Sequence, residues 1–285
     1  MTPETDVQFV IVHHRSPETV IEVVRDAISA GVTPQHIVVI DNSPLSDPPL
    51  DLSENVHVVR MENRGYAAAA NHGVRVLSQL PGSRALTVVA SHETRISAAA
   101  LTMLVDAMSD DQVAAAGPTL MIDGTDEVWS TGGYISRWLH QADHRRALAA
   151  PGSPPQDREW LDGALVLYRT ELLSRFRFDE SYFLYFEETD LHVRLSRAGH
   201  RVVWVPDAVS HQRSSGIPPR LLGRNTMLFQ ARHFNRWTGR VTVVVAMARA
   251  VARKAITGRG RWGESREIFG GLREAEQDLR GGDST

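Results

Sequence analysis

Glu187, Glu188 and Asp190 crowd three carboxyl groups into four residues, between the aromatic run Tyr182 to Phe186 and a stretch with helical spacing. His211 follows about twenty residues later, after a strand-like run. The whole segment reads WLDGALVLYR from Trp160, FDESYFLYFEETDLHVRLSRAG from Phe178 and VVWVPDAVSHQRSSG from Val202. Acids gathered ahead of a helix, with a histidine returning after a strand, form the pattern of a catalytic site. The competing reading is that the three acids cap the helix that opens near Asp190, because negative charge is favourable in a first turn.

Two more acids, Asp41 and Glu93, stand at the ends of expected strands. Apolar periodicity predicts strands at Val7 to Val12, His36 to Ile40, Val56 to Met61 and Ala85 to Ala90, with helices at Glu18 to Ala30 and Tyr66 to Leu80. That alternation predicts a parallel sheet with helices on both faces and a ligand crevice at the carboxyl ends of its strands. Asp41 in Asp41-Asn42-Ser43 and Glu93 in Ser91-His92-Glu93 fall at such ends. From about Pro118 the texture changes. Asp123 to Trp138 reads as a loop or hairpin, and Ala147 to Asp157 as a mobile flap. A strand follows within Trp160 to Arg169, helices at Glu171 to Phe176 and Glu187 to Ala198, and a strand at Arg201 to Val205 closed by Pro206.

Composition narrows the classes of function. The 285 residues carry 42% hydrophobic and 23% charged side chains and a formal net charge of −3, which suits an ordinary globular α/β protein and gives no global nucleic-acid signature. The absence of cysteine excludes disulfides and thiolate chemistry. No apolar run approaches the roughly 20 residues of a membrane span, and Met1 to Asp6 lacks the regions of a signal peptide, so a cytoplasmic protein is expected.

The ordered set VVIDNS, NRGYAAAANHG, a strand ending in a carboxylate, LDGALVLYR, FDESYFLYFEETDLHVRLSRAGHRVVWVP and His211 resembles the inverting glycosyltransferases of family 2. Each motif alone is common; their order and spacing, over roughly residues 7 to 235, are specific. The rhamnosyltransferase-like branch is most similar, with its late RN pair at Arg224 and Asn225. The resemblance implies an α/β GT-A fold, a mixed sheet flanked by helices. It divides the chain into a transferase domain over 1–235, with a nucleotide-binding half to about 117 and an acceptor half after it, and a C-terminal helical extension over 236–285.

The implied reaction moves a sugar from a dTDP- or UDP-sugar, dTDP-rhamnose among them, to an acceptor hydroxyl with inversion. Glu188 matches the general base, where the family more often has Asp, and Glu187 and Asp190 support it. Asp41 matches the nucleobase contact. Asn63, Arg64, Gly65 and Asn71 match the loop and helix facing the nucleotide, and Ser91 and Glu93 the DxD-like segment. Glu93 and His211 match the ligands of a divalent cation, Mg²⁺ or Mn²⁺; without it, Arg64, Arg213 and Arg220 are candidate cations for the leaving diphosphate. Trp160, Asp162, Gly163 and Tyr185 match the acceptor side, with Tyr182 and Phe183 near them. His13, His14 and Arg15 depart from the family pattern and either reshape the nucleobase pocket or lie exposed.

The acceptor stays open between a saccharide, a lipid-linked saccharide and a small molecule. The stretch VTVVVAMARAVARKAI, with Arg249, Arg253, Lys254, Arg259 and Arg261, suits either a packing or homodimer helix or peripheral contact with a membrane. Two other classes stand beside transfer. The eroded DxD suits a non-catalytic nucleotide-sugar binder. A sugar-phosphate nucleotidyltransferase would want a glycine-rich loop after the first strand, and VHHRSPETV has none.

Overall fold

The computed structural model describes residues 6–52, 55–213, 216–257 and 263–282. In chain order its elements are β1 (Val7–His13), α1 (Pro17–Ser29), β2 (Ile37–Asp41), β3 (His57–Arg60), α2 (Tyr66–Gln79), β4 (Leu86–Ser91), β5 (Thr94–Ile96), α3 (Ala98–Ala107), β6 (Val113–Ile122), β7 (Val128–Ser130), β8 (Gly133–Ile135), β9 (Ala142–His144), β10 (Gln156–Asp157), β11 (Leu165–Arg169), α4 (Thr170–Phe176), α5 (Glu187–Arg197), β12 (Arg201–Gln212), α6 (Pro219–His233), α7 (Arg236–Thr257) and α8 (Glu264–Gly282). They form two compact units. Residues 6–134, 144–183 and 187–213 belong to the first, and 135–143, 184–186 and 216–282 to the second.

The first unit is built on a mixed sheet in the order β10-β12-β6-β11-β4-β1-β2-β3, with β5 added to β12 and β7 to β6. The four strands β3, β2, β1 and β4 are parallel, as the βα alternation requires. The sheet then departs from that pattern, because β11 runs antiparallel between β4 and β6. Every residue of β1 is buried. Phe9 and Ile11 enter one core with α1 and α3, while Val10 and Val12 enter the other with α2, α4 and α5. Alternate side chains of a strand point to opposite faces, so a strand covered on both sides must be apolar throughout. The alanines of α2 bring that helix close to the sheet, and Gly73 brings it closer still: a Cβ there would lie 2.4 Å from Val10 Cγ1.

Against expectation, β12 does not stop at Pro206 but continues to Gln212, because a bulge between Val205 and Val209 absorbs the proline. β6 passes straight through Gly117-Pro118, where the sequence texture changes. Its β11 partners end at Ala116, so the missing N–H of Pro118 falls beyond that ladder.

The second unit packs α6, α7 and α8 together. Gly223 and Gly271 let α6 and α8 meet backbone to backbone, since a Cβ at either would lie 2.0 Å from the carbonyl oxygen of Ile268 or Arg220. The described part of the basic C-terminal stretch lies on α7 and faces acids of α8. Arg240 and Arg253 on α7 pair with Glu276 and Glu264 on α8. Arg259 and Arg261 lie outside the described residues.

Candidate active site

β1, β2 and β4 end side by side where the strand order reverses, the place at which open α/β sheets bind ligands. Asp41 lies there, 1% exposed. Its Oδ1 accepts the Ser43 backbone N–H (3.1 Å) and the His13 Nδ1–H (3.1 Å). Ser16 N–H donates to His13 Nε2, leaving the ring proton on Nδ1, toward Asp41. Burial raises the Asp41 carboxyl, but the Ser43 and His13 hydrogen bonds outweigh it and hold the group below the usual range. Burial in turn lowers the His13 pKa. His13 is therefore no exposed loop residue. It packs edge-on against His92, which burial pushes down to about 4. His14 bonds the Asn42 carbonyl, and Arg15 pairs with Asp47 at the surface.

Among the described residues Asp41 Oδ2 and Asn42 Oδ1 are buried with no hydrogen-bond partner; the Arg60 guanidinium stands 3.7 Å from Asp41 Oδ2. Unsatisfied buried oxygens are costly, at about 1–3 kcal/mol each, and mark a place prepared for a donor.

On the opposite side of β4, the loop Leu161–Ala164 is tied at each residue. His192 Nδ1 accepts the Leu161 N–H (3.1 Å), and its other nitrogen meets Tyr168 Oη (3.0 Å). Asp162 accepts from Trp129 Nε1 (2.8 Å) and Ala164 N (3.0 Å). Tyr66 Oη donates to the Gly163 carbonyl (3.1 Å), and Ser91 N–H to that of Ala164 (2.9 Å). Burial drives His192 down to about 3, which keeps Nδ1 free to accept.

Glu188 lies over this loop, its Cγ 3.2 Å from where a Gly163 Cβ would stand. Any larger residue at 163 would displace the carboxylate. Glu188 is partly open to solvent, whereas Glu187 is 3% exposed with Oε2 unpartnered. Burial first, then the charge of Asp162, pushes Glu188 up to about 8, against hydrogen bonds from the backbone of Glu188, Thr189 and Gly163. Burial and the nearby Glu188 raise Glu187 well above the carboxylate range. Asp190 has a different task. Its Oδ2 holds Arg194 (2.7 Å), which donates to the carbonyls of Phe176 and Arg177 and so anchors α5 to the end of α4.

Replacing Asp162 by Asn removes the neighbouring negative charge, so the Glu188 titration moves to lower pH. The pH dependence of kcat/KM in Asp162→Asn checks this, and an unmoved ascending limb would contradict it.

Asn63 Oδ1 accepts the Gly65 N–H (3.0 Å). Arg64 is exposed and reaches Glu180 (3.3 Å). Asn71 is committed to Phe178 through both N–H and C=O, and to Glu180. Trp160 is 4% exposed, its indole against Gly133 and edge-on to His144, so it supports the β8–β9 hairpin and presents no open face to a sugar. Tyr182 is fully buried and Phe183 exposed. Tyr185 belongs to the second unit, where its hydroxyl donates to Gly216 and its carbonyl, with that of Leu184, accepts from Asn225. Tyr66, Trp129 and His192 were not singled out from sequence. Only Tyr66 and His192 lay inside quoted motifs, as the residue after Gly65 and within the Glu187 helix.

For a cation the protein offers Glu93, whose carboxyl burial raises, and His211. β12 pairs antiparallel with β5, placing His211 opposite Arg95. Arg95 pairs with Asp26 and Arg213 with Asp123, and both arginines lie at this ladder. Among the described residues no group of three His, Asp or Glu side chains could hold a metal. Glu93 and His211 do not form a protein cage for a cation. Arg213 and Arg220 are likewise paired, the latter with Glu274.

The family model described as "Glycosyltransferase like family 2" matches residues 2–264. The chain belongs to this family. A relative of this glycosyltransferase is the N-acetylglucosaminyl-diphospho-decaprenol L-rhamnosyltransferase of Mycobacterium tuberculosis (strain CDC 1551 / Oshkosh), 26% identical over 268 residues, covering 82% of this chain and 87% of the relative. The fold is shared with the mannosyltransferase PcManGT of Pyrobaculum calidifontis, solved with GDP-Man and Mn²⁺ (TM-score 0.58, 14% identity, 97% of this chain and 88% of that one). It is shared too with GalNAc-T7, solved with UDP, GalNAc and Mn²⁺ (TM-score 0.60, 16% identity, 81% of this chain); the glycosyltransferase spans about half of that longer chain, 51%. These likenesses establish a GT-A fold for the mixed sheet described above. Among the described residues no helix is long and apolar enough to cross a membrane.

Proposed function

We propose that the protein is an inverting glycosyltransferase that carries a sugar, rhamnose by analogy with its relative, from a dTDP- or UDP-sugar to a saccharide borne on a lipid diphosphate. The observation that carries this reading is the partly open Glu188 carboxyl, held over Gly163 with its pKa near 8. A base of that pKa takes a hydroxyl proton efficiently near neutral pH. As the acceptor oxygen bonds to the anomeric carbon, its proton passes to Glu188 and the opposite bond to the nucleoside diphosphate breaks, inverting the centre. Asp41 Oδ2 and Asn42 Oδ1 suit the imide N–H of a uracil or thymine base. In this reading the two adjacent acids divide the labour: Glu188, partly open, takes the proton, and Glu187, buried, supports it.

The neighbours solved with Mn²⁺ support a divalent cation in this reading, for which Glu93 and His211 would be the protein candidates. α7 leaves Trp237, Val244 and Val251 exposed at seven-residue spacing, a stripe suited to a lipid surface.

Thermal unfolding with dTDP, UDP, GDP and CDP, each with and without Mn²⁺, tests the donor side. A nucleotide at about 100 times its Kd stabilises by about 2.7 kcal/mol. We expect selective stabilisation by dTDP or UDP that Asp41→Ala abolishes. Equal response to all four nucleotides, or full response in Asp41→Ala, would remove the nucleobase role of Asp41.

A further inference from the structure

The first unit contains a separate cavity of about 340 Å³, within the size range of ligand pockets, whose wall includes Tyr134, His144, Arg145, Arg146, Arg158 and Trp204. Three guanidinium groups meet in it, and among the described residues none has a carboxylate at ion-pair distance. Arg158 is held in place by Thr131 O (2.7 Å), Asp157 O (2.8 Å) and Gln156 Oε1 (3.2 Å), and lies 4.5 Å over the Trp204 ring. The carboxylate of the neighbouring Asp157 is engaged by Arg201 at 2.8 Å. Arg145 stands over Tyr134 (5.2 Å), and Arg146 uses one N–H on Trp129 O (3.2 Å). Most donors of Arg145 and Arg146 are left to solvent. Burial and the adjacent Arg145 charge push the Arg158 pKa down, against the opposing charge of Asp157.

Position matters as much as charge. His144 joins the cavity to the base loop: its Nε2 is 3.9 Å from Asp162 Oδ2, beside the Gly163 on which Glu188 rests. The donor crevice is elsewhere. Trp204 is on β12, four strands from β1, or roughly 19 Å at the usual strand spacing. A donor diphosphate at the β1, β2 and β4 ends does not extend that far. Ala147, Leu148 and Ala149 add an apolar wall, with Leu148 62% exposed.

Resting on the transfer reading above, we propose that this cavity binds the diphosphate linking the acceptor saccharide to its lipid carrier, with Arg145, Arg146 and Arg158 on the phosphates and the Leu148 wall along the first part of the chain. Guanidinium forks match phosphate oxygens in pairs, and the acceptor sugar then spans the distance from His144 to Glu188.

Calorimetric titration with farnesyl diphosphate, inorganic diphosphate, farnesol and UDP tests this on the wild type and on Arg145→Gln/Arg146→Gln, whose two side chains are exposed. We expect the Kd for farnesyl diphosphate to rise at least about tenfold in the double variant, as for lost charge-assisted hydrogen bonds, with Arg145→Lys/Arg146→Lys recovering part of it. UDP affinity should stay unchanged. Unchanged farnesyl diphosphate binding, or UDP weakened by the same factor, would overturn the proposal. Farnesol binding as tightly as farnesyl diphosphate would overturn the phosphate assignment, and inorganic diphosphate binding as tightly would overturn the carrier assignment. The titration needs no turnover. A protein that binds through these arginines yet transfers no sugar refutes the transfer reading alone, and one that transfers with binding indifferent to them refutes the cavity alone.

Discussion

Glu188→Gln is expected to lower kcat by about 10² to 10⁴ while leaving nucleotide binding intact, because the amide keeps the shape of the side chain and loses its ability to take a proton. In the wild type kcat/KM should rise with pH until the carboxyl near 8 is ionised and then level off; the variant should lack that limb. The same group leaves a mark on stability. Its pKa is raised from 4.5 to about 8 by folding, so the folded state binds the proton more tightly than the unfolded chain. Stability linked to Glu188 is complete below about 4.5 and is lost as pH rises through about 8. The variant has no such loss. Its thermal midpoint should therefore gain on the wild type across that window and hold a constant advantage above it. Turnover within a few-fold of wild type would eliminate Glu188 as the base, and parallel stability curves would show that its pKa is not raised.

Gly65→Ala is the substitution with the largest expected effect on folding. Gly65 has φ +95°, and an added Cβ would lie 2.1 Å from the Phe183 carbonyl oxygen, with backbone on both sides of the clash. That carbonyl accepts the Tyr66 N–H at 2.7 Å. Overpacking and a positive φ each cost about 1–3 kcal/mol, so the sum is about 3 kcal/mol or more, a fall in thermal midpoint on the order of 10 °C. Function should suffer as well in the molecules that fold. Tyr66 would move with the helix start, releasing the Gly163 carbonyl and loosening the loop beneath Glu188. Tyr66→Phe separates the two effects: it should reduce kcat while changing the midpoint little. A thermal midpoint for Gly65→Ala within about 2 °C of wild type would mean that the backbone contact with Phe183 is not tight.

Gly65 also shows how a motif can be legible while its purpose is not. Sequence matched Asn63, Arg64, Gly65 and Asn71 to a nucleotide-facing segment. In the structure the close approach at Gly65 is to Phe183, and Asn71 is fully used in holding Phe178 and Glu180. The motif thereby ties α2 to the segment leading into the acids. Two residues in the left-handed region, Tyr185 (φ 70°) and Phe186 (φ 73°), immediately precede Glu187, a strained entry to α5 that no residue type there announced.

What the sequence by itself determined was local and periodic. Unbroken apolar runs at β1 and β2 required a sheet covered on both faces, the βα alternation required parallel pairing of the first four strands, and their places at element ends made Asp41, Glu93, Glu187, Glu188 and Asp190 candidates. The ordered motifs led to the right family because spacing along a chain is itself a constraint on what can meet. Tertiary structure alone decided what is non-local: that His13 would be buried on Asp41, that Trp160 would turn inward beneath a hairpin, and that Tyr66, Trp129 and His192 would converge on four residues of loop. The reason is physical. Periodicity tells which face of an element is apolar, but the pKa of Glu188 and the charge left over among Arg145, Arg146 and Arg158 depend on which distant groups arrive beside them and which do not.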